Sequence, residues 1–120
     1  MVILHIYQSF WFQVKNRIKN DLLKNILKDC FWDYHFSADE IEEIVINGSS
    51  EEKYFLFHKI LAHSRHLLLS MEVFSRKDLE AMLNKKIPEG TRSDYLQHRK
   101  ELVEFFYFDK ELNRRELAWL

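Results

Sequence analysis

The stretch FSADEIEEIVINGSSEEKYFLFHKILAHSRHLLLS, residues 36–70, decides how this chain folds. Its first six residues contain a complete helix start. Ser37 can accept from the Glu40 backbone N–H, the Glu40 side chain can reach back, and Phe36 can staple against Ile41. A helix over 38–46 would bury Ile41, Ile44 and Val45 and stop at Asn47-Gly48, a pair suited to a left-handed turn. Ser49-Ser50-Glu51-Glu52 supplies the next cap. Beyond it Tyr54, Phe55, Leu56, Phe57, Ile60, Leu61, Leu67, Leu68 and Leu69 go nearly all the way round a helical wheel, which predicts one long helix over 50–70 at the buried centre of the domain.

The same signals continue outward. Phe74-Ser75-Arg76-Lys77-Asp78-Leu79 repeats the stapled cap and predicts a helix over 76–85 that buries Leu79, Met82 and Leu83. After the break at Ile87-Pro88-Glu89-Gly90, Thr91-Arg92-Ser93-Asp94 caps a helix over 92–106 with Tyr95, Leu96, Leu102, Val103 and Phe106 inward. Upstream, Val14, Ile18, Leu22 and Ile26 share one face of a helix over 15–28, with Lys15, Lys19 and Lys28 off it. At the end, Phe106 and Phe108 alternate with Tyr107 and Asp109. A polar turn follows, and Leu117 and Trp119 alternate with Glu116 and Ala118, which is the pattern of a two-stranded hairpin. The expected fold is mainly α: one compact five-helix domain over 1–120, with a C-terminal β-hairpin that makes residues 75–120 winged-helix-like. Residues 1–14 read as an N-terminal arm or strand.

Composition fits that class. Of 120 residues 47% are hydrophobic and 15% aromatic, with two glycines and one proline, so the chain can bury a core and is poor in tight turns. The single cysteine, Cys30, excludes an intrachain disulfide, suits a reducing cytosol and reads as a small core residue. The apolar start MVILHIYQSFWFQV is interrupted by His5, Gln8, Ser9 and Gln13 and is shorter than the ~20 residues of a membrane span, so a cytoplasmic protein without a membrane anchor is expected. Net charge is −1. It lacks the positive excess of a domain held mainly by phosphates, and a protein partner fits it at least as well as nucleic acid.

Motifs for catalysis are sparse. No glycine-rich phosphate loop, Ser/His/Asp set or Cys/His pair is present, so no catalytic residue and no cofactor is expected. His63 and His66 stand three apart, a spacing two metal ligands can share, but no acid or cysteine nearby completes the set, so no metal site is assigned. Arg92 and His98 match the spacing of small helical ribonucleases only loosely. Arg99 falls between Tyr95 and Val103 on an apolar helix face, where a guanidinium needs a partner; an acid from another helix is the expected one. In a winged helix, the helix over 92–106 would read DNA, with Arg92, Arg114 and Arg115 as nucleic-acid contacts. Its outward face, however, carries Asp94, Glu101 and Glu104 against Lys100, and carboxylates oppose phosphate binding. In the aromatic block FWDYHF, Phe31 and Trp32 are expected to wedge the end of the first helix against the long one. Tyr34 and His35 stay outside and, with Glu42 and Glu43, form a partner surface.

Residues 31–61, through Phe31-Trp32-Asp33-Tyr34, Asn47-Gly48, Glu52-Lys53 and Phe57-xx-Ile60-Leu61, resemble uncharacterised small helical prokaryotic proteins with an FWD motif. Some of these are encoded beside nucleotidyltransferase-type toxin modules. Phe74-Ser75-xx-Asp78-Leu79-xx-Met82-Leu83 with Asp94-Tyr95-xxx-Arg99-xx-Leu102-Val103 and Phe108-Asp109 resembles a winged-helix domain of bacterial regulators. The resemblances imply a regulator or adaptor acting through protein contacts in a toxin–antitoxin-like operon. A DNA-binding transcriptional regulator is the alternative, and a small helical ribonuclease the third reading.

Overall fold

The computed structural model describes residues 19–33 and 35–110. Among the described residues helix α1 runs through 19–30, followed by α2 (Ala38–Asn47), α3 (Ser50–His63), α4 (Leu67–Ser70), a 3-10 turn (Met71–Val73), α5 (Arg76–Leu83) and α6 (Ser93–Phe108). Among the described residues there is no strand.

Three of the four helix starts follow the local code. Ser37 accepts from Glu40 N–H, and its hydroxyl donates to the Glu40 carboxylate at 3.3 Å. Ser49 and Glu52 form a reciprocal capping box, with bonds of 3.2 and 3.1 Å. Ser75 accepts from Asp78 N–H, while the Asp78 carboxylate turns to Lys53 on α3 at 3.1 Å, and that bond lowers the Asp78 pKa. The fourth start differs. Arg92 occupies the cap of α6 without a side-chain bond, and Ser93 N–H donates to Gly90 carbonyl at 3.2 Å, so neither Thr91 nor Ser93 caps this helix.

The predicted long helix is in fact two. α3 ends where Ser64 N–H bonds Ile60 carbonyl at 2.9 Å, with Ser64 itself extended at φ −66°, ψ 132°. The break is held by specific partners. Ser64 Oγ lies 2.8 Å from Ser70 Oγ and accepts from His66 N–H at 3.1 Å, and Arg65 N–H donates to Asp29 at 3.0 Å. The last carbonyls of α3, which have no helical partner, receive guanidinium groups from α6 and its cap. Arg99 Nε donates to Leu61 carbonyl and Arg99 Nη2 to Ser64 carbonyl, both at 2.5 Å, and Arg92 Nη2 reaches Ala62 carbonyl at 3.3 Å. Arg99 is therefore paired as its position demands, but with backbone oxygens in place of the expected acid. Burial lowers its pKa from the ordinary arginine value, and its charge faces the negative end of the α3 dipole.

Around α3 the core closes. Leu56, Phe57, Ile60 and Leu61 meet Leu22, Leu23, Ile26 and Cys30 of α1, Ile41 of α2, Leu79, Met82 and Leu83 of α5, and Leu96 and Val103 of α6. α3 packs on α2, α4 and α6, and α6 packs on α4 as well. The inward line of α6 is Leu96, Arg99, Val103 and Tyr107, which leaves Tyr95 and Phe106, both expected inside, 40% and 58% exposed.

The first strand of the predicted hairpin is the last turn of α6. Residues 106–108 are helical, and the helix ends at Asp109 in the left-handed region (φ 55°, ψ 33°), whose N–H bonds Phe105 carbonyl at 3.1 Å. Tyr107 fixes this turn. Its hydroxyl bonds Leu68 carbonyl and lies 3.0 Å from the Glu72 carboxylate, while its own carbonyl accepts from Arg76. Burial and the Glu72 hydrogen bond push its pKa up. The remainder of the hairpin, with Leu117 and Trp119, lies outside the described residues, as does the arm at 1–14.

Two measurements follow from this packing. Arg99→Met, which leaves α3 carbonyls without donors, should lower the unfolding free energy in urea by about 2–4 kcal/mol, with part recovered in Arg99→Lys; a loss under about 0.5 kcal/mol for both would contradict the assignment. Cys30 is 1% exposed, and burial together with Asp29 pushes its thiol pKa to about 12. Native protein at mildly alkaline pH should give no thiol reaction with Ellman's reagent until it unfolds.

Candidate functional site

Two surfaces stand out, one alongside α1 and one where it ends. Along α1, Leu22 and Leu23 face Val45 and Ile46 of α2 and Val73 of the 3-10 turn across an open apolar cavity of about 420 Å³. Lys19 and Glu42 pair at 2.5 Å on its edge, and Glu72 adds a second carboxylate. Both members of the pair are partly solvated, so it orients the rim more than it stabilises the fold. Ile46 is 59% exposed here, because α2 buries Ile41 and packs Ile44 and Val45 partly against the core, which leaves Ile46 on the outer side. Of the expected partner surface, Glu42 lines this groove. Glu43, one residue round the helix, is exposed and accepts from Asn47 at 3.0 Å. His35 is exposed, and Tyr34 lies outside the described residues.

The second surface lies where α1 ends. Phe31 is buried, its ring edge-on to Phe36 at 5.1 Å and tilted on Phe55 at 6.2 Å. Trp32, expected to share that wedge, is 77% exposed. The turn after α1 points one ring in, and the next residue must then point out. Phe55, Lys59 and His63 recur every four residues along α3 and so line one stripe, and the Lys59 ammonium sits 5.9 Å from the Phe55 ring centre. His63 has its pKa lowered by burial, by Lys59 and by Arg92, with Asp33 opposing. At the far end Arg92 lies 4.7 Å over the Tyr95 ring, with Arg99 5.3 Å from the same ring. Nothing local in the sequence signalled that Asp33 and Arg92 would approach His63.

The remaining candidates stay apart. His63 and His66 have no third ligand: among the described residues no group of three His, Cys, Asp or Glu side chains could hold a metal. On the outward face of α6, Gln97 donates to Glu101 at 3.0 Å and Lys100 to Lys85 carbonyl at 3.1 Å, while Lys110 pairs with Glu104 at 3.2 Å. Arg114 and Arg115 lie outside the described residues. No described helix is long and apolar enough to cross a membrane. No family model, curated protein or solved structure matches this chain.

Proposed function

We propose that this chain is a non-catalytic regulator or adaptor domain that acts through protein contacts, in the setting of a bacterial toxin–antitoxin-like operon. The apolar groove between α1, α2 and the 3-10 turn carries the reading. An open cavity of about 420 Å³ with an exposed Ile46 on its wall and charges confined to its rim has the form of a seat for the apolar face of a partner helix. Lys19, Glu42 and Glu72 on that rim would set the direction of such a helix more than its affinity.

DNA reading by a winged helix has less support. The outward face of α6 holds more carboxylates than cations, its Lys100 is bonded to Lys85 carbonyl, and α6 packs chiefly on α3 and α4. A ribonuclease pair at Arg92 and His98 is weakened in the same way, since Arg92 is bonded to Ala62 carbonyl and stacked on Tyr95.

Tagged protein recovered from its native host should carry a stoichiometric protein partner. Ile46→Asp should lose that partner while the unfolding free energy stays within about 0.5 kcal/mol of the parent. Repeated recovery of the chain alone, or equal recovery of the partner by Ile46→Asp, would overturn the reading.

A further inference from the structure

A second cavity, of about 310 Å³, opens where the last turn of α6 meets the 3-10 turn and α5. Met71, Phe74 and Leu79 line it from the core, and Phe106, 58% exposed and edge-on to Tyr107 at 5.0 Å, lines it from α6. Its charged groups are Glu72 and Arg76. Opposite charges that face one cavity can pair, but here each is tied to Tyr107 and neither to the other. The Arg76 guanidinium donates to the Tyr107 carbonyl and rests 5.2 Å from the Phe108 ring. A guanidinium has five donors, and this bond uses one. The Glu72 carboxylate lies 3.0 Å from the Tyr107 hydroxyl, which also bonds Leu68 carbonyl. A hydroxyl has a single proton, so with two acceptors around it the carboxylate has room for a further donor.

We propose that this cavity binds a small zwitterion, a free α-amino acid with an apolar side chain. Its carboxylate takes the Arg76 fork, its ammonium donates to Glu72, and its side chain lies against Phe106 and the apolar wall. An anion alone would meet the charge of Glu72, and a cation alone that of Arg76. A molecule that carries both charges satisfies both residues. Tyr107 sets their separation, because it holds Glu72 at its hydroxyl and Arg76 at its carbonyl, the opposite ends of one residue. The volume stands at the lower end of the roughly 300–1,000 Å³ of ligand pockets, a size for an amino acid and not for a nucleotide.

Glu72 also borders the groove beside α1, but the other residues of the cavity do not, and the inference stands or falls independently of a partner helix there. The test is a proton–nitrogen NMR titration of the full chain with L-leucine, with isoamylamine, which lacks the carboxylate, and with isocaproate, which lacks the ammonium. L-Leucine should give saturable shifts at Phe106, Tyr107 and the Arg76 Nε–H. Each analogue should bind at least about 10-fold more weakly, the loss expected for one charge-assisted bond. Arg76→Gln and Glu72→Gln should each weaken L-leucine by a similar factor. Both side chains are exposed, and the analogue comparison uses the parent chain alone, so it does not depend on how a variant folds. Absence of saturable shifts with L-leucine would overturn the proposal, as would equal binding of the three compounds or equal binding of L-leucine by the parent and both variants.

Discussion

The arrangement of the helices depends on how the C-terminus of α3 is satisfied. A helix that ends inside a protein leaves carbonyls without donors, and burying each unpaired costs about 1–3 kcal/mol. Here the Arg99 guanidinium takes the carbonyls of Leu61 and Ser64, and Arg92 takes that of Ala62. With its end closed in this way the chain can turn at Ser64, lay α4 across the top of α6, and continue into the 3-10 turn. Tyr107, two turns beyond Arg99 on the same face, completes the contact by bonding Leu68 carbonyl in α4. The two residues together set the register of α6 against α3 and α4.

That dependence explains where sequence reasoning worked. The caps at Ser37, Ser49 and Ser75 are local, each closed within three residues, and they were legible. The stop at Ser64 was not. Its apolar neighbours continue the helical pattern on both sides, and what ends α3 is an arginine 35 residues further on. The position of Arg99 on an apolar face did reveal that it must be paired, while the nature of the partner, backbone rather than carboxylate, required the fold. The tail was ambiguous in a different way. Phe106 and Phe108 fit a period of two, but Leu96, Arg99, Val103 and Tyr107 fit a helix, and the tertiary bonds of Tyr107 decide for the helix as far as Asp109.

The candidate surfaces were legible only in pieces. Glu42 was visible as an exposed helical acid; that it borders an apolar groove depends on α1 and the 3-10 turn arriving beside α2. The aromatic block after α1 divides its roles residue by residue, with Phe31 in the core and Trp32 on the surface. Arg92 is brought beside His63 at the end of the α3 stripe by the same packing that closes α3. Leu22 on the groove and Cys30 at the end of α1 lie about 12 Å apart along the helix at 1.5 Å per residue, which separates the two surfaces.

The most direct measurement of the central interaction is a through-hydrogen-bond NMR coupling between Arg99 Nε and the Leu61 carbonyl carbon. The structure predicts a resolved coupling and a slowly exchanging Arg99 Nε–H, because that proton lies in a half-buried bond of 2.5 Å. A rapidly exchanging Nε–H with no coupling to Leu61 would show that α3 is closed by something else, and the account of why the chain breaks at Ser64 would fail with it.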